Sequence, residues 1–158
     1  KDIKLYFKKI ENIEEENNKE NKKYIKESFE IKKNPILLNE LGTIAIAEKN
    51  YGEALSYFNE SINLEPLYYP SHINKSRVLT LQSDFISAAH TLNDMLLKCE
   101  SDYWKAYSNL YLAYIYLNGD LNCEKAKESI KKAELIKKEP DLAKQYERIK
   151  NDVGKKCG

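Results

Sequence analysis

Residues 35–66 read PILLNELGTIAIAEKNYGEALSYFNESINLEP, and the spacing of their apolar side chains decides the fold. Leu38, Leu41, Gly42 and Ala45 recur at helical intervals, and so do Ala54, Phe58, Ser61 and Ile62. Each set marks a helix that buries one face. Asn50 and Gly52 bracket a turn between the two. Pro66 ends the second helix, because a proline ring clashes with the preceding turn and offers no N–H. The small residues Gly42 and Ala54 let two antiparallel backbones come close, while Leu41 and Phe58 fill the space on either side. Two helices and a short turn make one unit.

The same residue character returns thirty-four positions later, with Tyr51 mapping on Phe85, Ala54 on Ala88, Phe58 on Leu92 and Ile62 on Leu96. The first copy resembles a tetratricopeptide repeat, whose signature is Trp-x2-Leu-Gly-x2-Tyr, then Ala-x3-Phe, then Pro. Here the string is Leu38-x2-Leu41-Gly42-x2-Ala45, then Ala54-x3-Phe58, then Pro66, so five of seven positions match. In the second copy His72, Lys75 and Ser76 replace Trp, Leu and Gly, and Glu100 replaces the proline; its second helix, 88–97, carries the likeness. The third copy aligns through Tyr107-x2-Leu110-Tyr111-x2-Tyr114, then Ala126-x3-Ile130 and Ala133. Trp104-x2-Tyr107-Ser108-x2-Tyr111 fits the same signature as an alternative frame. Its second half comes three residues late, and the extra residues are assigned to the turn 118–123. Pro140 is expected to close a slightly extended helix. Leu142, Tyr146, Ile149 and Val153 then stripe a capping helix.

The resemblance implies an all-α fold, a right-handed α-α superhelix of stacked helix hairpins with a C-terminal capping helix. The expected segments are repeats at 35–68, 69–103 and 104–140, then the cap and tail at 141–158. Over 1–34, stripes at Ile3, Phe7, Ile10 and Ile13 and from Tyr24 to Ile31 flank ten residues without an apolar side chain, 14–23. That pattern reads as a degenerate helix pair or a partly disordered leader.

Composition narrows the function. The 158 residues hold 26 Lys+Arg and 25 Asp+Glu, with only two arginines, Arg77 and Arg148, which is no nucleic-acid-binding balance. Five Gly and four Pro supply few tight turns or phosphate-cradling loops. No apolar run approaches the roughly 18 residues of a membrane span. Charge is uneven: net +2 over 1–33, −5 over 34–120 and +4 over 121–158. No nucleophile elbow, zinc-protease motif, P-loop or glycine fingerprint appears, so no catalytic residue, cofactor or metal site is assigned. Cys99, Cys123 and Cys157 are too widely spaced for a zinc site. Cys123 and Cys157 should fall at the same end of the stack, within reach of a disulfide in an oxidising compartment. Because the sequence opens on Lys1 rather than Met, an upstream piece with its compartment signals is expected to be missing. A cytoplasmic location is favoured, with secreted and periplasmic ones open.

In tetratricopeptide proteins the first helices of successive hairpins line a concave groove, and residues offset from the packing stripe face a ligand. The resemblance therefore implies a groove of Ile36, Asn39, Thr43 and Ile46 from the first repeat, Ile73, Asn74 and Arg77 from the second, and Lys105, Ser108, Asn109, Leu112 and Ile115 from the third. Asparagine suits a peptide ligand because its amide donates and accepts at once. Asn74 and Lys105 match two positions of the family's clamp for a C-terminal carboxylate, but Asn39, Thr43 and Asn109 stand where it has other groups. Weak or absent binding of acidic tail peptides is expected. Six aromatics crowd 103–116, and Trp104 and Tyr111 are candidate partner anchors against a purely packing role. The expected function is a non-catalytic scaffold or adaptor that captures a protein or peptide partner in the groove. The alternative is a structural piece of a larger solenoid assembly.

Overall fold

The computed structural model describes residues 34–158 together with Glu20, Lys22, Lys23 and Glu27. The helix pair or leader expected over 1–34 otherwise lies outside the described residues. Seven α-helices follow: α1 (Pro35–Ala47), α2 (Tyr51–Leu64), α3 (Tyr69–Leu81), α4 (Phe85–Leu96), α5 (Asp102–Asn118), α6 (Cys123–Lys132) and α7 (Pro140–Cys157), with a 3-10 segment, Glu134–Lys138, before the last. Among the described residues there is no strand, and the fold is all-α, built of adjacent helix hairpins.

Every hairpin turn uses one device. The first helix closes on a residue in the left-handed region, Lys49 (φ 59°), Ser83 (φ 62°) or Leu121 (φ 52°). The next residue then caps the second helix: Asn50 Oδ1 accepts from Glu53 N, Asp84 Oδ1 from Ser87 N, and Asn122 Oδ1 from Lys125 N. Left-handed backbone costs a non-glycine residue roughly 1–2 kcal/mol. The terminal carbonyls and N–H groups that the turn satisfies offset that cost. Gly52, expected as a turn residue, lies instead within the first turn of α2.

Two further expectations need correction. The extra length of the third hairpin is not chiefly in its turn, because α5 has 17 residues where α1 and α3 have 13. No breaker interrupts its apolar pattern before Gly119, so the helix simply runs one turn longer. Nor does Pro140 close an extended α6. That helix ends at Lys132, and Pro140 opens α7 at a position whose N–H would lack a helical partner anyway.

The chain divides into two compact units, Lys1–Val78 and Leu79–Gly158. In the first, α1 packs on α2, with Leu37, Leu41 and Ile44 in one buried cluster and Ala45, Ala54, Phe58 and Val78 in another. Fully burying Phe58 contributes about 2–3 kcal/mol. Lys22 Nζ reaches Glu48 Oε2, at the α1–α2 turn, at 2.7 Å.

In the second unit α5 is the central helix, packed on α4, α6, the 3-10 segment and α7. Its buried stripe is Ala106, Leu110, Ala113 and Leu117, facing Ala126 and Ile130 of α6 and Tyr146, Ile149 and Val153 of α7. The expected stripe, Tyr107, Leu110, Tyr111 and Tyr114, is thus displaced by one residue. Alanines occupy the close crossings and tyrosines move to the flanks, where their bulk fits. Cys123, first in α6, and Cys157, last in α7, form a disulfide with Cα atoms 5.4 Å apart, while Cys99 is free and buried.

Candidate partner-binding site

Because α5 runs between α4 and α6, the face it turns toward both forms the floor of a groove with those helices as walls. One cavity, about 700 Å³, is floored by Lys105, Ala106, Asn109 and Leu112 and walled by Asn93 and Leu96 of α4 and Lys125, Glu128 and Lys132 of α6, with Leu135 at its end. A second, about 530 Å³, lies between Phe85, Ile86 and Ala89 of α4 and Ile115 and Gly119 at the far end of α5. Asn93, Tyr116 and Lys125 line both, so the cavities meet at that neck.

Several polar groups of the groove are held by partners on α4, α5 and α6. Asn109 Nδ2 donates to Lys105 O at 2.9 Å, one turn back on the same helix. Lys132 donates to Glu128 one turn away, and that hydrogen bond, aided by the ammonium's charge, holds the carboxyl below the usual carboxylate range. Lys105 lies 4.0 Å from Asp102. Asn93 Nδ2 donates to Tyr116 Oη at 2.9 Å across the neck.

Of the residues singled out in sequence, Lys105, Asn109 and Leu112 come together in this groove, and Ile115 lines its second cavity. Ser108 is fully buried, and its hydroxyl has no hydrogen-bond partner among the described residues. Trp104 is half-buried, edge-on to Tyr103 with ring centroids 5.0 Å apart, and Tyr111 stacks on Tyr114 at 6.0 Å. Neither aromatic lines the groove.

The first unit uses its candidates differently. Asn39 is buried, and its Oδ1 accepts from Ser71 Oγ at 3.2 Å and from Asn74 Nδ2 at 3.0 Å. Thr43 Oγ1 donates back to Asn39 O at 3.0 Å. Ile46 is half-buried against the Phe58 cluster, Ile73 is buried, Ile36 is half-buried and Arg77 is exposed. Asn39 and Asn74 therefore bind each other, which leaves less of the Asn74 amide to hold a carboxylate. Two Asn-x-Ser strings, Asn59-Glu60-Ser61 and Asn74-Lys75-Ser76, spell glycosylation acceptors but end on fully buried serines within helices, and Ser61 Oγ donates to Pro35 O at 2.8 Å.

Asn93, Lys125 and Lys132 escape a sequence reading that attends to first helices, because they sit on the second helices that wall the groove, and Tyr116, on α5 itself, is hidden among the crowded aromatics of 103–116. One signal was present. Asn109 and Tyr116 are seven residues apart, as are Lys105 and Leu112, so they share a helix face.

No protein-family model matches the chain, and no curated protein matches it. Solved structures do. The fold is similar to that of MamA, a tetratricopeptide-type protein. Against MamA from residue 41 to its end, from Desulfovibrio magneticus RS-1, the TM-score is 0.67 at 22% identity, covering 98% of this chain and 88% of that one. Against a MamA RS-1 double mutant it is 0.64 at 19% identity, covering 97% and 93%. At that identity the likeness is one of fold, consistent with tetratricopeptide-like repeats.

Proposed function

We propose that this chain is a tetratricopeptide-type, non-catalytic protein-interaction scaffold whose partner segment lies in the groove over α5. The observation that carries the reading is the convergence of Lys105, Asn109 and Leu112, together with Tyr116, in a cavity of about 700 Å³. An apolar floor with a few placed donors and acceptors is how protein surfaces bind partner segments. The fold likeness to MamA supports a scaffold role, since both are helix-hairpin proteins. On this reading the buried candidates of the first unit, Asn39 and Ile73, serve packing.

The test is affinity capture from the native extract with wild type beside a Lys105→Glu/Leu135→Lys variant. Lys105 and Leu135 are exposed, so both proteins should melt alike. Partners captured by wild type and lost from the variant support the groove. An unchanged set of partners refutes it. The alternative, a piece of a larger assembly, draws on Ile86 and Leu97 of the α4 region, which are 86% and 84% exposed.

A further inference from the structure

The Cys123–Cys157 bond joins two unlike helix ends at the surface. Both cysteines are partly exposed and flanked by exposed residues, Glu124 and Lys125 on one side and Lys155 and Lys156 on the other, whereas Cys99 is buried. Exposed disulfides are the labile ones, because an external thiolate can reach them. Cys123 opens α6 at the positive end of that helix, and the Asn122 cap takes the Lys125 N–H, not that of Cys123 or Glu124. Cys157 closes α7 at its negative end.

The residues one turn along each helix reinforce the difference. Cys123 has Ala126 and the exposed Lys127 there, and Cys157 has Val153 and Gly154, neither of them charged. The charged sequence neighbours Glu124, Lys155 and Lys156 lie about 100° or more round their helices. The Lys156 ammonium donates to Asn118 Oδ1 at 3.4 Å. A Cβ on Gly154 would meet nothing within 4 Å, so the surface beside Cys157 is open. A departing thiolate is therefore better held at Cys123 than at Cys157. In thiol–disulfide exchange the sulfur that leaves more readily directs attack to the other one. We infer that this bond is exchangeable, and that Cys157 is the site at which it takes up an external thiol. The thiolate attacks Cys157 Sγ and forms a new S–S bond there, while the Sγ–Sγ bond breaks and its electron pair leaves on Cys123 Sγ. Cys123 can reverse the step by attacking Cys157 Sγ and expelling the thiol. A second thiolate can instead attack the added sulfur, releasing the Cys157 thiolate and the thiol's own disulfide, so that two thiols supply the two electrons.

Reduced glutathione is the probe, used on the whole chain with its disulfide formed. After brief exposure, excess N-ethylmaleimide caps every free thiol, so that Cys123 cannot return, and mass spectrometry of the peptides locates the glutathione. The expected result is glutathione on Cys157 over Cys123 by about threefold or more, the bias that opposite helix ends impose on the two sulfurs. In concentrated urea, where the helices are lost, the two sites should be used within about twofold of each other. Even labelling or a preference for Cys123 in the folded chain would overturn the direction of exchange. A Cys157 preference that persists in urea would show that the helix ends do not set it, and would overturn the inference as well. So would a folded chain that takes up no glutathione under conditions in which the urea-unfolded chain does.

Discussion

Gly42 shows how little room the α1–α2 crossing leaves. A Cβ there would fall 2.6 Å from Phe58 Cζ and 2.8 Å from Cδ1, and Phe58 is fully buried, with no solvent to move into. Alanine gains about 1 kcal/mol over glycine inside a helix, but overpacking a core costs about 1–3 kcal/mol. Gly42→Ala should therefore destabilise, by up to about 2 kcal/mol. Gly154, inside α7 with open space where its Cβ would be, should give a gain of up to about 1 kcal/mol. Urea unfolding of the two variants decides the matter, and equal signs would refute the close crossing. Glu40 makes a second case. Burial pushes its carboxyl above the usual range, and the Asn39 amide partly opposes this. A raised folded value means that the folded chain binds its proton more readily, so this contribution to stability is present below the unfolded pKa and lost as pH rises through the folded one. Glu40→Gln should raise the melting temperature at pH 7 and lose that advantage by about pH 4, near the unfolded value. A difference that does not vary with pH would count against it. Gly42 and Phe58 were legible because a single hairpin's spacing juxtaposes them. The Asn39 network was not, since its donors Ser71 and Asn74 come from a different helix thirty-odd residues away.

At the scale of elements, legibility follows what determines each one. The hairpins were readable from apolar spacing, and the turn positions follow from Asn50, Asp84 and Asn122 as caps. The extra turn of α5 was not readable, because inserting residues into a helix or into the loop after it leaves the count between Leu110 and Ala126 unchanged. The site was half legible for a related reason: residues on one helix can be assigned a face, but the walls that α4 and α6 supply depend on packing. The disulfide lies between these extremes, since chain direction alone places Cys123 and Cys157 at one end and only the packing of α7 brings them together. The bond closes a loop with a sequence separation of 34. Chain-entropy arguments assign such a closure about 3–4 kcal/mol, mostly by restricting the unfolded state. Cys157→Ser should lose about that much stability under non-reducing conditions, and reductant should bring wild type down to the variant. A wild type whose denaturation midpoint ignores reductant would show that the bond does not hold α7.

For the whole molecule, two function classes make different demands on the apolar surface it exposes. An obligate assembly piece must bury at least about 1,000 Å² of surface in a well-packed patch. A scaffold needs only a groove that stays open until its partner arrives. The most exposed large apolar side chains, Ile86 and Leu97, lie at opposite ends of the α4 region, and neither is surrounded by others of similar exposure in sequence. Single apolar residues at the surface are ordinary, and isolated ones do not make a large interface. On the proposed reading Ile86 belongs to the wall that a partner segment covers, and Leu97 lies just past its end. The isolated chain should then scatter light as an 18.4 kDa monomer at low micromolar concentration, and an Ile86→Lys/Leu97→Lys variant should give the same mass while losing the partners that wild type captures. A wild-type mass that grows with concentration and returns to 18.4 kDa in the variant would reverse the assignment, making α4 a contact between copies and the chain a component of an assembly. The two outcomes are exclusive because Ile86 cannot be covered by a neighbouring copy and remain open to a partner segment.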